Sequence, residues 1–171
     1  IVQYEKAFEI KWTSFLSTMR AAACGYKAND QQAYRFFLDK AFELSWSGSK
    51  NVFDNSEEFR FLDGSDFENQ VNILYLEGAE EAGVNVKLMT ELQNIQKSDQ
   101  EQRRHMREYS EKYGWQSAPM DSLWKIQSYS DSVNSVRVIE IIKEYGYPGK
   151  SLVGEQTASA AFLVIQHADL D

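Results

Sequence analysis

The sequence predicts an all-α protein. Three observations carry that expectation: apolar residues recur in steps of three and four, a six-residue pattern returns after 34 positions, and Gly or Pro closes the periodic stretches. The return pairs Tyr4-Glu5-Lys6-Ala7-Phe8-Glu9 with Leu38-Asp39-Lys40-Ala41-Phe42-Glu43, so Ala7 and Ala41 stand 34 apart. A small side chain repeated at that interval suits a helix packed closely on its neighbours.

Phe15, Leu16, Met19, Ala22, Ala23 and Tyr26 form the stripe of a first helix, and Ala33, Phe36, Phe37, Ala41 and Leu44 that of a second. The polar stretch 27–30 makes the turn between them. Cys24 is the only cysteine, and its alanine neighbours predict a small buried hydrophobe rather than a nucleophile. Residues 47–64 turn polar and carry Gly48, Asp54, Asn55, Asp63 and Gly64, which predicts a loop with short helical turns. Ser65 followed by Glu68 opens a further helix as a capping box; Gly78 weakens it and Gly83 ends it.

After Asn85 a longer helix is expected. Its seam runs Leu88, Leu92, Ile95 and then Met106, Tyr109, Tyr113, and it is continuous only if Asp99 and Gln102 fill the missing positions. A break at Lys97-Ser98 would equally rotate the face, and the two readings stay open. Residues 114–119 read as a connection, Met120 to Tyr129 as a short helix, and the stretch from Asp131 to Tyr145 as another, stopped by Gly146 and Pro148. The last helix, from Glu155 to about Ala168, is apolar on nearly every side and is expected at the centre of its domain.

Composition removes several classes of function. A net charge of −8 and a pI near 4.9 repel a phosphate backbone, so nucleic acid is not an expected partner. The longest strictly apolar run, Ala160 to Ile165, is six residues, far short of the roughly 20 that span a bilayer. A soluble chain is expected. It opens at Ile1 within a helical pattern, which leads us to expect an upstream segment in which a signal peptide could lie; an extracytoplasmic bacterial setting is slightly favoured over the cytoplasm.

Two resemblances sharpen this reading. The 34-residue return, with Tyr26 to Trp46 as a helix pair ending in Ala41-x-Glu43-Leu44-x-Trp46, resembles bacterial tetratricopeptide proteins, although Tyr34 stands where that pattern prefers Ala. From Ser98 onward the chain resembles a bacterial family of uncharacterised domains, often joined to such repeats in Bacteroidetes-like proteins. The elements are Asp99-Gln100-x-x-Arg103, Asp131-x-x-Asn134, Tyr145-Gly146-x-Pro148, Val153-Gly154 and Gln166-His167-Ala168-Asp169. Tyr147 replaces the usual Trp, and an Asp-Arg pair and a Gln-x-Tyr-Gly-Thr-Gln-like stretch found later in members do not occur in this chain. The resemblance implies no activity. The expected organisation is a tetratricopeptide-like region over 1–64, a connecting helix over 65–84 and a helical domain over 85–171, C-terminally incomplete.

Candidate site residues come from the second resemblance and from residue chemistry. Asp99 and Arg103, four apart, share a helix face and can pair, either inside or as a solvated surface pair. Asp131 is most simply the N-cap of the helix that carries Asn134. Lys150 and Gly154 flank a helix start whose free N–H groups could hold an anion. His167 is the best catalytic candidate: it is one of two histidines and closes an apolar helix at the end where the dipole favours imidazolium. Gln166 and Asp169 lie beside it. Asp99, Gln100, Arg103, Asn134, Gln166, His167 and Asp169 therefore form the candidate binding set, with Asp99, Arg103 and His167 expected to converge. His105 lacks metal-ligand spacing, and neither a metal nor a cofactor is expected. The leading expectation is an interaction or scaffolding module with a protein or peptide partner; the alternatives are an enzyme using His167 as general acid and base, and a small-ligand domain.

Overall fold

The computed structural model describes residues 14–168, and among them it is all-α, without strands. Ala7 and Asp169 lie outside the described residues, as does the side chain of Gln102. The chain divides into two compact units, residues 1–83 and 84–171, so the helix expected as a connection belongs to the first.

In that unit α1 (Phe15–Lys27) and α2 (Gln31–Leu44) form a hairpin. Asn29 turns the chain at φ 57°, and the Asp30 side chain caps α2 by accepting from the Ala33 N–H at 3.0 Å. Gly25 sets how close the helices come: a Cβ there would lie 2.7 Å from the Tyr34 backbone nitrogen. Met19, Ala22 and Ala41 are fully buried in the seam. Cys24 is exposed, against expectation, because Ala22 and Ala23 take the inner face and the next residue is carried round to the outside.

The stretch expected to be a loop is largely helix. α3 (Trp46–Asn55) starts at Ser45, whose hydroxyl accepts from the Gly48 N–H at 3.1 Å, and a 3-10 segment covers Glu57–Leu62. Apart from the exposed Phe61 the surface of both is mostly polar, and Phe53, Phe59 and Leu62 are buried and hold them to the core. α4 (Asp66–Glu81) opens at Ser65, yet the returning Glu68 carboxylate accepts from the Gly64 N–H, one residue earlier than a capping box requires. Gly78 does not merely weaken α4. It makes room for the Trp46 indole, whose Cβ would lie 2.5 Å from any Cβ at 78.

The second unit is built on two 28-residue helices, α5 (Val86–Tyr113) and α6 (Ala118–Tyr145). They are antiparallel: Glu91 meets Arg137, while Arg103, further along α5, meets Asp131, further back on α6. There is no break at Lys97-Ser98, and Asp99 points inward with 1% of its surface exposed. Likewise the two helices expected between Met120 and Tyr145 are one. Asp131 is thus mid-helix, and the N-cap role assigned to it does not hold.

Gly146, at φ 77°, ends α6 and leads to the single turn α7 (Lys150–Val153), which the Asn85 N–H ties to the start of α5 through the Leu152 carbonyl at 2.8 Å. α8 (Ala160–Ala168) begins five residues later than expected, after a turn in which the buried Thr157 hydroxyl accepts from Gln93 at 3.1 Å. The supposed anion site at Lys150 and Gly154 therefore lacks its helix, and Lys150 instead pairs with Glu155. α8 packs on α6 and α5 through Ala160, Ala161 and Val164, but Phe162 is 57% exposed, so this helix is not enclosed on all sides.

α6 is apolar on two opposite faces. Met120, Val138 and Ile141 are fully buried, while Ile126, Tyr129, Val133 and Val136 form an exposed stripe on the other side. No helix among the described residues is long and apolar enough to cross a membrane.

Candidate functional site

The inner faces of α5, α6 and α8 meet around one guanidinium. Arg103 donates from Nη2 to both carboxylate oxygens of Asp131, at 3.0 and 3.1 Å, and from Nε to His167 Nδ1 at 3.0 Å. Its Nε also lies 3.4 Å from Asp99 Oδ1. Asp99 Oδ1 is in turn 3.0 Å from His167 Nδ1, and Asp99 Oδ2 accepts from the Gln100 side chain at 2.7 Å. Three helices are thus tied through one cation and two nearly buried carboxylates.

The imidazole has to choose. An unprotonated Nδ1 accepts from Arg103, whereas a protonated Nδ1 donates to Asp99, and one nitrogen cannot do both. Either state leaves one good hydrogen bond, and Arg103 keeps Nη2 on both oxygens of Asp131 throughout. This is the arrangement expected of an ionic clasp: buried carboxylates would be costly alone, and the guanidinium serves both.

Asp99, Arg103 and His167 converge, as their sequence positions suggested, and Gln100 joins through Asp99. Asn134 faces the same side of α6 as Asp131. Gln166 does not join: it is exposed, because α8 turns it away as it brings His167 inward. Two participants were missed. Asp131 resembled a helix cap, and Gln127, four residues before it and 1% exposed, donates to Asp131 Oδ1 at 2.7 Å. The i, i+4, i+7 spacing of Gln127, Asp131 and Asn134 was the available signal, since it places three polar groups on one face.

Two polar atoms in this layer have no partner among the described residues: Gln127 Oε1, an acceptor, and Asn134 Nδ2, a donor. His105 is exposed, and no group of His, Cys, Asp and Glu that could hold a metal ion occurs among the described residues. Beside the clasp, Arg103 also lines a groove of about 280 Å³ with Met106, Arg107, Trp115 and Trp124. In the first unit a separate groove of about 600 Å³ is lined by Tyr26, Asn29, Gln31, Tyr34, Arg35, Asp66, Asn69 and Gln70.

The fold and the clasp define a class: an all-α unit of antiparallel long helices closed by a buried ionic cluster. Residues 86–170 of the chain match the model of a family of unknown function, DUF6624, which covers this second unit. No curated protein and no solved structure matches the chain.

Proposed function

We propose that the protein is an interaction module that binds a partner helix along the outer face of α6. The observation that carries this reading is the exposed stripe Ile126, Tyr129, Val133, Val136, whose steps of three, four and three are those of a helix-pairing seam. The exposures are 50%, 73%, 49% and 55%, a contiguous run of large apolar side chains of the kind that marks an interaction surface. The first unit supports the same reading, since its α1–α2 hairpin resembles a tetratricopeptide-like repeat and such repeats present grooves to peptides.

A photo-crosslinking residue at Tyr129 or Val133, in cells that make the protein, tests the proposal. One discrete adduct is expected from both positions and none from Glu108 on α5. Val136→Glu should reduce the adduct at least about tenfold by placing a charge in the seam. Equal labelling from position 108, or an adduct indifferent to Val136→Glu, would remove the reading.

A second reading, a small-ligand or catalytic site at the clasp, is favoured by one observation: the buried acceptor and donor of Gln127 and Asn134 beside Asp131. In its catalytic form His167 moves the proton. That His167 Nδ1 is engaged within the clasp in either state, by Arg103 or by Asp99, speaks for the structural role first.

A further inference from the structure

The groove beside the clasp combines features that the partner-binding face does not use. Its floor is Met106, 5% exposed, and its sides are Trp115 in the α5–α6 connection and Trp124 on α6, 61% and 46% exposed. Two arginines reach it from α5, one turn apart. They are differently prepared. Arg103 is held through Nε and Nη2, so its plane is fixed, while its Nη1 has no acceptor among the described residues. Arg107 has no ion pair among the described residues, although Glu111 follows it by four positions.

Those facts restrict what could bind. Two guanidinium groups line the groove and repel a cation; the carboxylates of Asp99 and Asp131 outnumber Arg103 but are nearly buried in the clasp, so Arg107, without an ion pair among the described residues, is the charge that the groove itself presents to an anion. In a chain of net charge −8 a polyanion is repelled overall, and a single negative charge meeting this local cation is the acceptable case. The remaining lining is apolar and flat, suited to a ring stacked on or edge-on to indole. About 280 Å³ lies near the lower end of ligand-pocket volumes, room for a small molecule.

We propose that this groove binds a small free aromatic monocarboxylate. The ring lies between Trp115 and Trp124, and the carboxylate accepts from Arg107 and from the Nη1 edge of Arg103. Pre-ordering of Arg103 by Asp131 reduces the ordering that binding would otherwise require. The groove is on the α5-facing side of α6, opposite the exposed stripe, so this site stands or falls separately from partner binding.

The test uses the whole chain and benzoate as probe, read by the four tryptophan indole N–H resonances. Saturable shifts are expected at Trp115 and Trp124 and not at Trp46. Benzamide, which has the ring without the charge, and acetate, which has the charge without the ring, should each bind at least about tenfold more weakly. Arg107→Gln should lower benzoate affinity to the benzamide level; because Arg107 has no ion pair among the described residues, the fold should be kept, as a far-ultraviolet spectrum would verify. Equal responses to benzoate and benzamide in the unaltered protein, absence of saturation at Trp115 and Trp124, or indifference to Arg107→Gln would each overturn the proposal.

Discussion

At the scale of single residues, the clasp makes His167 and Asp99 energetically inseparable. Their side chains meet at 3.0 Å and share Arg103, so removing either changes what the other is worth. His167→Phe and Asp99→Asn, alone and combined, are expected to show a coupling of about 0.5–3 kcal/mol in chemical denaturation. Phe at the exposed His105 should change stability by no more than about 0.5 kcal/mol. Strict additivity of the first pair would show that the clasp contributes nothing as a unit. Much of this cluster was legible in the sequence. Asp99 had to point inward if the seam from Leu88 to Met106 was continuous, and His167 followed an apolar run. The signal for Asp131, its spacing from Gln127 and Asn134, was masked because an Asp three residues before an Asn, among serines, looks like a helix start. Only the unbroken course of α6 shows it as a mid-helix counterion.

Among the elements, α5 and α6 are joined at the other end by Arg137, which donates to Glu91 at 2.5 and 3.1 Å. That hydrogen bond holds the Glu91 carboxyl below the ordinary glutamate range, against the opposing effect of partial burial. The folded chain therefore keeps Glu91 ionised at acidities where the unfolded chain has protonated it. The pair's contribution is complete above the ordinary glutamate range and disappears as pH falls through the depressed value. Denaturation of the unaltered protein and of Arg137→Gln across that acid window should show a shallower loss of stability for the variant. The difference should be small and shrink with salt, since the side chains are 40% and 32% exposed. An identical pH slope for the two would exclude the pair. Element boundaries were harder to read than element type. The apolar residues on both faces of α6 blurred its period and split it in two on paper. In α3, polar residues at the surface concealed the anchoring role of Phe53.

For the molecule as a whole, each unit carries its own core, with Phe67 fully buried in the first and Ile141 in the second. Phe67→Ala should cost about 3–5 kcal/mol and Ile141→Ala about 2–5 kcal/mol. Hydrogen exchange should locate each loss within its own unit, residues 14–83 or 84–168, and the double variant should add within about 0.5 kcal/mol. Protection lost evenly across both units from either substitution would mean that they unfold as one. The all-α class was legible because helical period survives in every long stretch, and the family resemblance of the second unit was legible only through its short motifs. The first unit's full extent was not, since its last helix looked like a connection until Gly78 was seen to house Trp46.

α8 is held from two sides, by α5 and by α6. Its described part, nine residues, is shorter than the roughly 12–15 that an isolated helix needs to persist in water, so the order of that stretch depends on its contacts with α5 and α6. His167 shares that hold with the buried Ala160, Ala161 and Val164, so loosening the clasp would shift the helix toward disorder rather than swing a rigid arm aside. The exchange of its amide protons thereby becomes a meter of how firmly its packing and the clasp hold together.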